Sequence, residues 1–149
     1  MIQFKEVAHL YLGCKLSSRF FNMTENEYIS LDVMRLRMGI NSWRPVLRKL
    51  SAIRIEEAAK VVQMVFHPNT EYPISDYKLK INEAGNATVY LNNDFYEEDL
   101  TFGNNTGSIW SVNRYSQTVK VGANVYNYLL LNGFDLFNLI ENGEAIEQK

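Results

Sequence analysis

The chain predicts a single α+β domain over residues 1–149: an antiparallel β meander packed against a helical layer, with two short C-terminal helices. Three observations carry that prediction. An amphipathic helical repeat runs from Ile55 to His67. A train of short alternating segments follows between Asp76 and Val112. Two apolar runs then end at Asn132-Gly133 and Asn142-Gly143. Helix-period and strand-period segments are grouped instead of alternating, the pattern of α+β architecture and not of a parallel α/β fold. At 149 residues and 46% hydrophobic, the chain is long enough to bury a sizeable core.

Residues Ile2 to Leu12 alternate loosely and stop at Gly13, which predicts a strand. The spacing of Phe4, Val7, Ala8 and Tyr11 also fits a short helix. A strand is favoured because the β-rich run Lys15 to Phe21 follows and can pair back through Gly13-Cys14. Thr24-Glu25-Asn26-Glu27 has the form of a capping box, although Tyr28 to Leu31 behind it is strand-like. Ser30 is the preferred cap, opening a helix that carries Leu31, Met34, Leu36 and Met38 and closes at Gly39. Trp43-Arg44-Pro45 interrupts it, because proline lacks the donor and biases its predecessor to extended geometry.

The helix from Ile55 to His67 puts Ala58, Val61, Val62, Val65 and Phe66 on one face and Glu56, Lys60 and Gln63 on the other. Pro68 ends it. Asp76 to Asn82 and Ala87 to Asn92 read as a hairpin joined by Glu83-Ala84-Gly85-Asn86, where Gly85 supplies a positive φ. Phe95-Tyr96 and Leu100 to Phe102 suggest a third strand broken by acids. Gly103 to Gly107 is a turn, Ser108 to Val112 a fourth strand, and the final helices begin near Gly122. The expected core is Phe4, Val7, Leu10, Leu12, Val61, Val62, Val65, Leu79, Ile81, Val89, Leu91, Leu129, Phe137 and Ile140.

Fifteen Lys and Arg against 17 Asp and Glu give a formal charge of −2, which argues against a dedicated polyanion binder. One cysteine, Cys14, excludes an intrachain disulfide. Met1-Ile2-Gln3-Phe4-Lys5-Glu6 lacks the form of a signal peptide, and no apolar run is long enough to cross a membrane. The sequons at Asn22, Asn86 and Asn104 are attributed to chance in an Asn-rich chain. A cytoplasmic protein with no membrane partner is expected.

Three stretches share a resemblance. Phe4-Lys-Glu-Val-Ala-His-Leu-Tyr-Leu-Gly-Cys14, Arg44-Pro-Val-Leu-Arg-Lys-Leu-Ser51 and Gly133-Phe-Asp-Leu-Phe-Asn-Leu-Ile-Glu-Asn-Gly-Glu-Ala-Ile146 resemble the start, middle and end of a family of small uncharacterised proteins. That family is carried by gut anaerobes, often in prophages and bacteriophages. The resemblance covers neither residues 15–42 nor 70–120. It implies an intracellular setting in a phage or mobile element and no activity, so no site residue is carried over.

His9 and Cys14 could supply two metal ligands, but zinc needs four, or three with water, and the only other histidine is His67. A nucleophilic pair of Cys14 with His9 or His67 has no Gly-rich elbow around it, so a structural thiol is preferred. Asp94, Glu97, Glu98 and Asp99 lack the spacing of a calcium loop and read as a solvated edge. No catalytic, cofactor-binding or metal-binding residue is assigned.

The strongest candidate is the basic segment from Arg35 to Arg54, with Arg37, Arg44, Arg48 and Lys49 and no acid between Asp32 and Glu56. If Pro45 opens a helix, Arg44 and Arg48 share a face beside Trp43. Trp43, Arg44, Arg48 and Lys49 are therefore the candidate anion- or partner-binding residues. Two bland readings compete: a solvated face, or ion pairs with Asp94 to Asp99 within the molecule. Eight aromatics between Tyr72 and Tyr115 suit cross-strand packing or, where exposed, a protein interface. The favoured function is a non-enzymatic protein-interaction protein of a phage or mobile element, binding a protein partner or itself. The alternative is a nucleic-acid accessory protein that contacts the phosphate backbone through Arg35 to Arg54.

Overall fold

A computed structural model describes residues 2–11, 15–18, 29–30, 43–103, 108–111 and 121–148; at Lys5, residues 15–18, 29–30 and Trp43 it describes the backbone alone. Helix α1 (Phe4–Val7) runs into a 3₁₀ turn (Ala8–Tyr11). Strands β1 (Lys15–Ser18), β2 (Ile29–Ser30) and β3 (Trp43–Leu47) precede a 3₁₀ turn (Leu50–Ala52) and helix α2 (Ile55–Phe66). A third 3₁₀ turn (Ile74–Asp76) leads into β4 (Tyr77–Ile81), β5 (Ala87–Asn92), β6 (Glu97–Phe102) and β7 (Ile109–Trp110). Helix α3 (Ala123–Leu131) and β8 (Ile146–Glu147) complete the order. No described helix is long and apolar enough to cross a membrane.

The fold is α+β. Strands β4-β5-β6-β7 form an antiparallel meander, registered Tyr77 to Leu91, Val89 to Leu100 and Phe102 to Ile109. Its buried face presents Ala87, Val89, Leu91, Leu100 and Phe102 to Ala58, Val61 and Val62 of α2 and to Val125 and Leu129 of α3. The second sheet, β2-β1-β3-β8, is mixed, because β8 runs parallel to β3 through Val46–Ile146 and Leu47–Glu147. A second apolar cluster gathers Phe4, Val7, Ala8 and Tyr11 around Leu47, Leu139 and Ala145, and Leu130 and Phe137 pack against both clusters. The Tyr11 hydroxyl joins them, donating to the Phe134 carbonyl at 2.9 Å and accepting from the Leu136 N–H at 3.2 Å.

Three expected elements differ. The strand predicted over Ile2 to Leu12 is helical: Phe4, Val7, Ala8 and Tyr11 are all buried while Leu10 is exposed, so the helix-period spacing prevails over the loose alternation. Pro45 does not open a helix. It sits in β3 opposite Leu16, and β8 pairs only with the following residues, so one side of Pro45 carries no ladder. The second C-terminal helix is absent. Residues 134–145 are turns organised by the buried Asp135 carboxylate, whose Oδ1 accepts from Phe137 and Leu139 and Oδ2 from Ile140, at 2.9–3.1 Å. Asn138, at φ 60°, interrupts any helical path.

Ile29 and Ser30 are extended; the helix predicted from Leu31 to Gly39 lies outside the described residues, as do Leu12, Gly13 and Cys14. The acids at 97–99 do not break the third strand but stand within it. In the expected core, Ile81 is exposed near the hairpin turn, and Val65, Leu79, Phe137 and Ile140 are half-buried.

The first Asn-Gly stop acts as read. After α3, Gly133 adopts φ 74°, its N–H meets the Leu130 carbonyl, and the Phe134 N–H meets that of Leu129, the Schellman pairing. A Cβ on Gly133 would meet nothing within 4 Å, so a Gly133→Ala loss can only come from backbone conformation. We expect about 1–2 kcal/mol from denaturant unfolding. Gly133→Asn should recover part of it, because asparagine tolerates the left-handed region.

Candidate interaction surface

The basic segment folds as β3, a tight 3₁₀ turn and the start of α2, and this bend turns its cations inward. Arg48 forks onto Glu57, Nη1 to Oε2 and Nη2 to Oε1, both at 2.8 Å. Nη2 also donates to the Ala52 carbonyl at 3.1 Å, and the guanidinium lies 4.3 Å over the Phe134 ring. Glu57 is the third residue of α2, so its Oε1 also accepts the Arg54 backbone N–H at 3.0 Å and Arg54 Nε at 3.2 Å. Burial pushes the Glu57 carboxyl up, but the Arg48 guanidinium and the two Arg54 donors outweigh it and hold it at about 2. Lys49 donates to Glu141 at 2.9 Å and lies 3.8 Å from Glu147; the Glu141 hydrogen bond raises the ammonium above its ordinary value against a smaller opposing effect of desolvation.

Two of the four candidate anion-binding residues are thus paired within the molecule, to Glu57, Glu141 and Glu147. The expected alternative partners, Asp94 to Asp99, lie elsewhere. Arg44 is half-buried in β3, and its Nε is buried without a hydrogen-bond partner among the described residues. Trp43 contributes backbone to β3; its side chain, Arg35 and Arg37 lie outside the described residues. The segment forms a seam onto which the C-terminal residues dock: Arg48 N–H donates to the Gly133 carbonyl and its carbonyl accepts from Asp135 N–H, each at 2.8 Å.

A different surface emerges at the open end of the meander, where the β5–β6 turn faces the end of α2. Asn93 Oδ1 accepts the backbone N–H groups of both Phe95 and Tyr96 at 2.8 Å, closing a tight turn. Tyr96 packs against the His67 ring at 4.3 Å, tilted by 49°, and Tyr72 meets His67 edge-on at 5.3 Å. His67 Nε2 is 2.8 Å from Glu98 Oε2, tying the helix end to β6. The Tyr72 phenol is pushed up from its ordinary value, first by desolvation and then by Tyr96 and Glu98. The tyrosine rings cover His67 and Glu98 holds one of its nitrogens, so this cluster serves as a brace.

The brace leaves Phe95 82% exposed, with Tyr96 half-open behind it and Ile74 49% exposed on the neighbouring 3₁₀ turn. A cleft of about 480 Å³ at its base is lined by Tyr72, Pro73, Asp76, Asn93, Asp94 and Phe95. Asp76 and Asn92 also line a second cleft, of about 350 Å³, over the outer face of the meander. Sequence reading missed Phe95 by placing it inside a strand. The signal was Asn92-Asn93-Asp94 before it, a run of turn-forming residues.

His9 is exposed on the N-terminal 3₁₀ turn and Cys14 is not described. Among the described residues no group of three His, Cys, Asp or Glu side chains is placed to hold a metal ion. No protein family model, curated protein or solved structure matches the chain.

Proposed function

We propose that this is a non-enzymatic protein-interaction protein of a phage or mobile element, working in the cytoplasm and making its contact through the tip of the meander. The observation that carries this reading is Phe95. A large apolar side chain is held in water on a turn whose backbone is fixed by Asn93 and by the packing of the adjacent Tyr96, which is the form of a preorganised interface anchor. The three motif resemblances support the phage or mobile-element setting.

Phe95→Ala should leave thermal stability within about 0.5 kcal/mol, because the ring is already solvated. A photoreactive phenylalanine analogue at position 95 should give one discrete adduct in the host cell, competed by excess wild-type protein and not by Phe95→Asp. The same analogue at Lys60, exposed on α2, should give none. Equal labelling from both positions would sink the reading.

The alternative, a nucleic-acid accessory protein gripping phosphate through Arg35 to Arg54, draws on Arg44, whose Nε has no hydrogen-bond partner among the described residues, and on the solvent-facing Arg54. It expects mobility shifts that weaken steeply with salt. Binding that survives Arg44→Ala/Arg48→Ala unchanged would dispose of it.

A further inference from the structure

The charge around Phe95 identifies the chemistry of what covers it. The cleft at its base is lined by the carboxylates of Asp76 and Asp94 and by no cation. Glu97, the first residue of β6, follows Phe95 by two positions. Among the described residues Asp76 is engaged by a single long 3.5 Å contact from Asn93 Nδ2, and neither Asp94 nor Glu97 has an ion-pair partner. The other two acids of the region are committed, Glu98 to His67 and Asp99 to Ser111 at 2.8 Å. Lys78 and Lys80 share the second cleft, over the outer face of the sheet, with Asp76 and Glu97, but neither lysine forms an ion pair with them, and Lys80 lies 5.6 Å over the Tyr90 ring. Phe95 therefore stands beside the carboxylates of Asp76 and Asp94, with Glu97 on the adjoining outer face, and none of the three is ion-paired among the described residues.

We infer that the tip docks an arginine-rich segment of a partner protein, with a guanidinium stacked on Phe95 or Tyr96 and neighbouring cations opposite Asp76, Asp94 and Glu97. The inference rests on the interaction reading above and names its partner. A guanidinium satisfies both features at once, because its planar face stacks on an aromatic ring while its edge donates to carboxylates. Phosphate groups and acidic peptides meet the same carboxylates as repulsion. A purely apolar partner would leave those carboxylates desolvated and unpaired.

The test titrates the full chain, isotope-labelled for NMR, with three nine-residue peptides. One alternates arginine and glycine around a central leucine, one replaces arginine by lysine, and one replaces it by serine. The arginine peptide should shift amides within 72–76 and 93–98, with at least tenfold weaker binding for the serine peptide. Lysine should bind several-fold more weakly than arginine. Phe95→Ala and Asp94→Asn/Glu97→Gln should each reduce arginine-peptide binding about tenfold, and raising salt should weaken it in wild type but little in the double variant.

Binding of arginine and serine peptides with equal affinity, lost in Phe95→Ala, would overturn the cationic partner while leaving the tip as an apolar interaction surface. Shifts that spread over the whole acidic surface and ignore Phe95→Ala would overturn both. Absence of any shift with the arginine peptide at millimolar concentration would also overturn the cationic partner.

Discussion

Asp135→Ala is expected to be among the most destabilising single substitutions, lowering unfolding free energy by about 3 kcal/mol, because buried N–H groups would lose their acceptor. In a chain this size that corresponds to roughly 6–12 °C in melting temperature. Asp135 is fully buried, and its two oxygens hold the N–H groups of Phe137, Leu139 and Ile140 where a helix would have bonded them to carbonyls. Alanine removes all three bonds, of which that of Leu139 is buried and those of Phe137 and Ile140 partly so. Asparagine keeps one oxygen, so Asp135→Asn should lose less than half as much.

Burial raises the Asp135 carboxyl above its ordinary value, although the three backbone bonds oppose that shift. A carboxyl that protonates more readily in the folded protein favours folding at low pH, and that favour disappears as pH rises through its folded value. Asp135→Asn should therefore flatten a component of stability that declines toward neutral pH. A loss under 1 kcal/mol in Asp135→Ala would show that these turns are held by their apolar contacts and not by the carboxylate.

The elements legible from sequence are those whose information is local. Helix α2 carries its apolar face in five residues at helical spacing. The β4–β5 hairpin carries its register in Gly85, whose φ of 81° is the conformation its position demands. The Schellman stop at Gly133 is written in two adjacent letters. The elements misread are decided by distant partners. Phe4, Val7, Ala8 and Tyr11 become one buried stripe because Leu47, Leu139 and Ala145 cover them, and none of those contacts is visible in the first dozen residues.

Pro45 is tolerated in a strand with neighbours on both sides because β8, more than 100 positions further on, begins to pair only after it. The apolar run from Phe134 to Ile140 reads as a helix until Asp135 is recognised as an internal acceptor. The basic segment was visible as charge, and intramolecular pairing was among its readings, but the acids that neutralise it were not visible. Glu57 is a first-turn acid of a helix by sequence, and only the bend between β3 and α2 brings it under Arg48. Phe95 was hidden by the opposite error, since aromatic residues near strands are normally read as packing.

Arg48→Ala and Glu57→Gln should each remove about 3–4 kcal/mol, since breaking a buried pair strands the remaining partner. The Arg48 and Glu57 side chains are 17% and 5% exposed, so neither can recover its lost contacts fully from water. Glu57 titrates at about 2 against an ordinary value of 4.5. A carboxyl depressed by folding contributes its stability above the ordinary value and loses it as pH falls. Wild type should thus lose about 3 kcal/mol between roughly pH 4.5 and 2, and Glu57→Gln should show no such acid limb from this site.

The double variant Arg48→Met/Glu57→Met distinguishes strength from specificity. If it recovers most of the single-variant loss, the pair adds little net energy over apolar packing and serves to direct docking of the C-terminal segment. Arg48 contacts that segment by two backbone bonds as well as through the Phe134 ring, and the methionine stem can still pack there. If the double variant is as damaged as the worse single variant, the bidentate geometry itself stabilises the fold, because methionine can fill the volume but cannot replace four charge-assisted bonds onto one carboxylate.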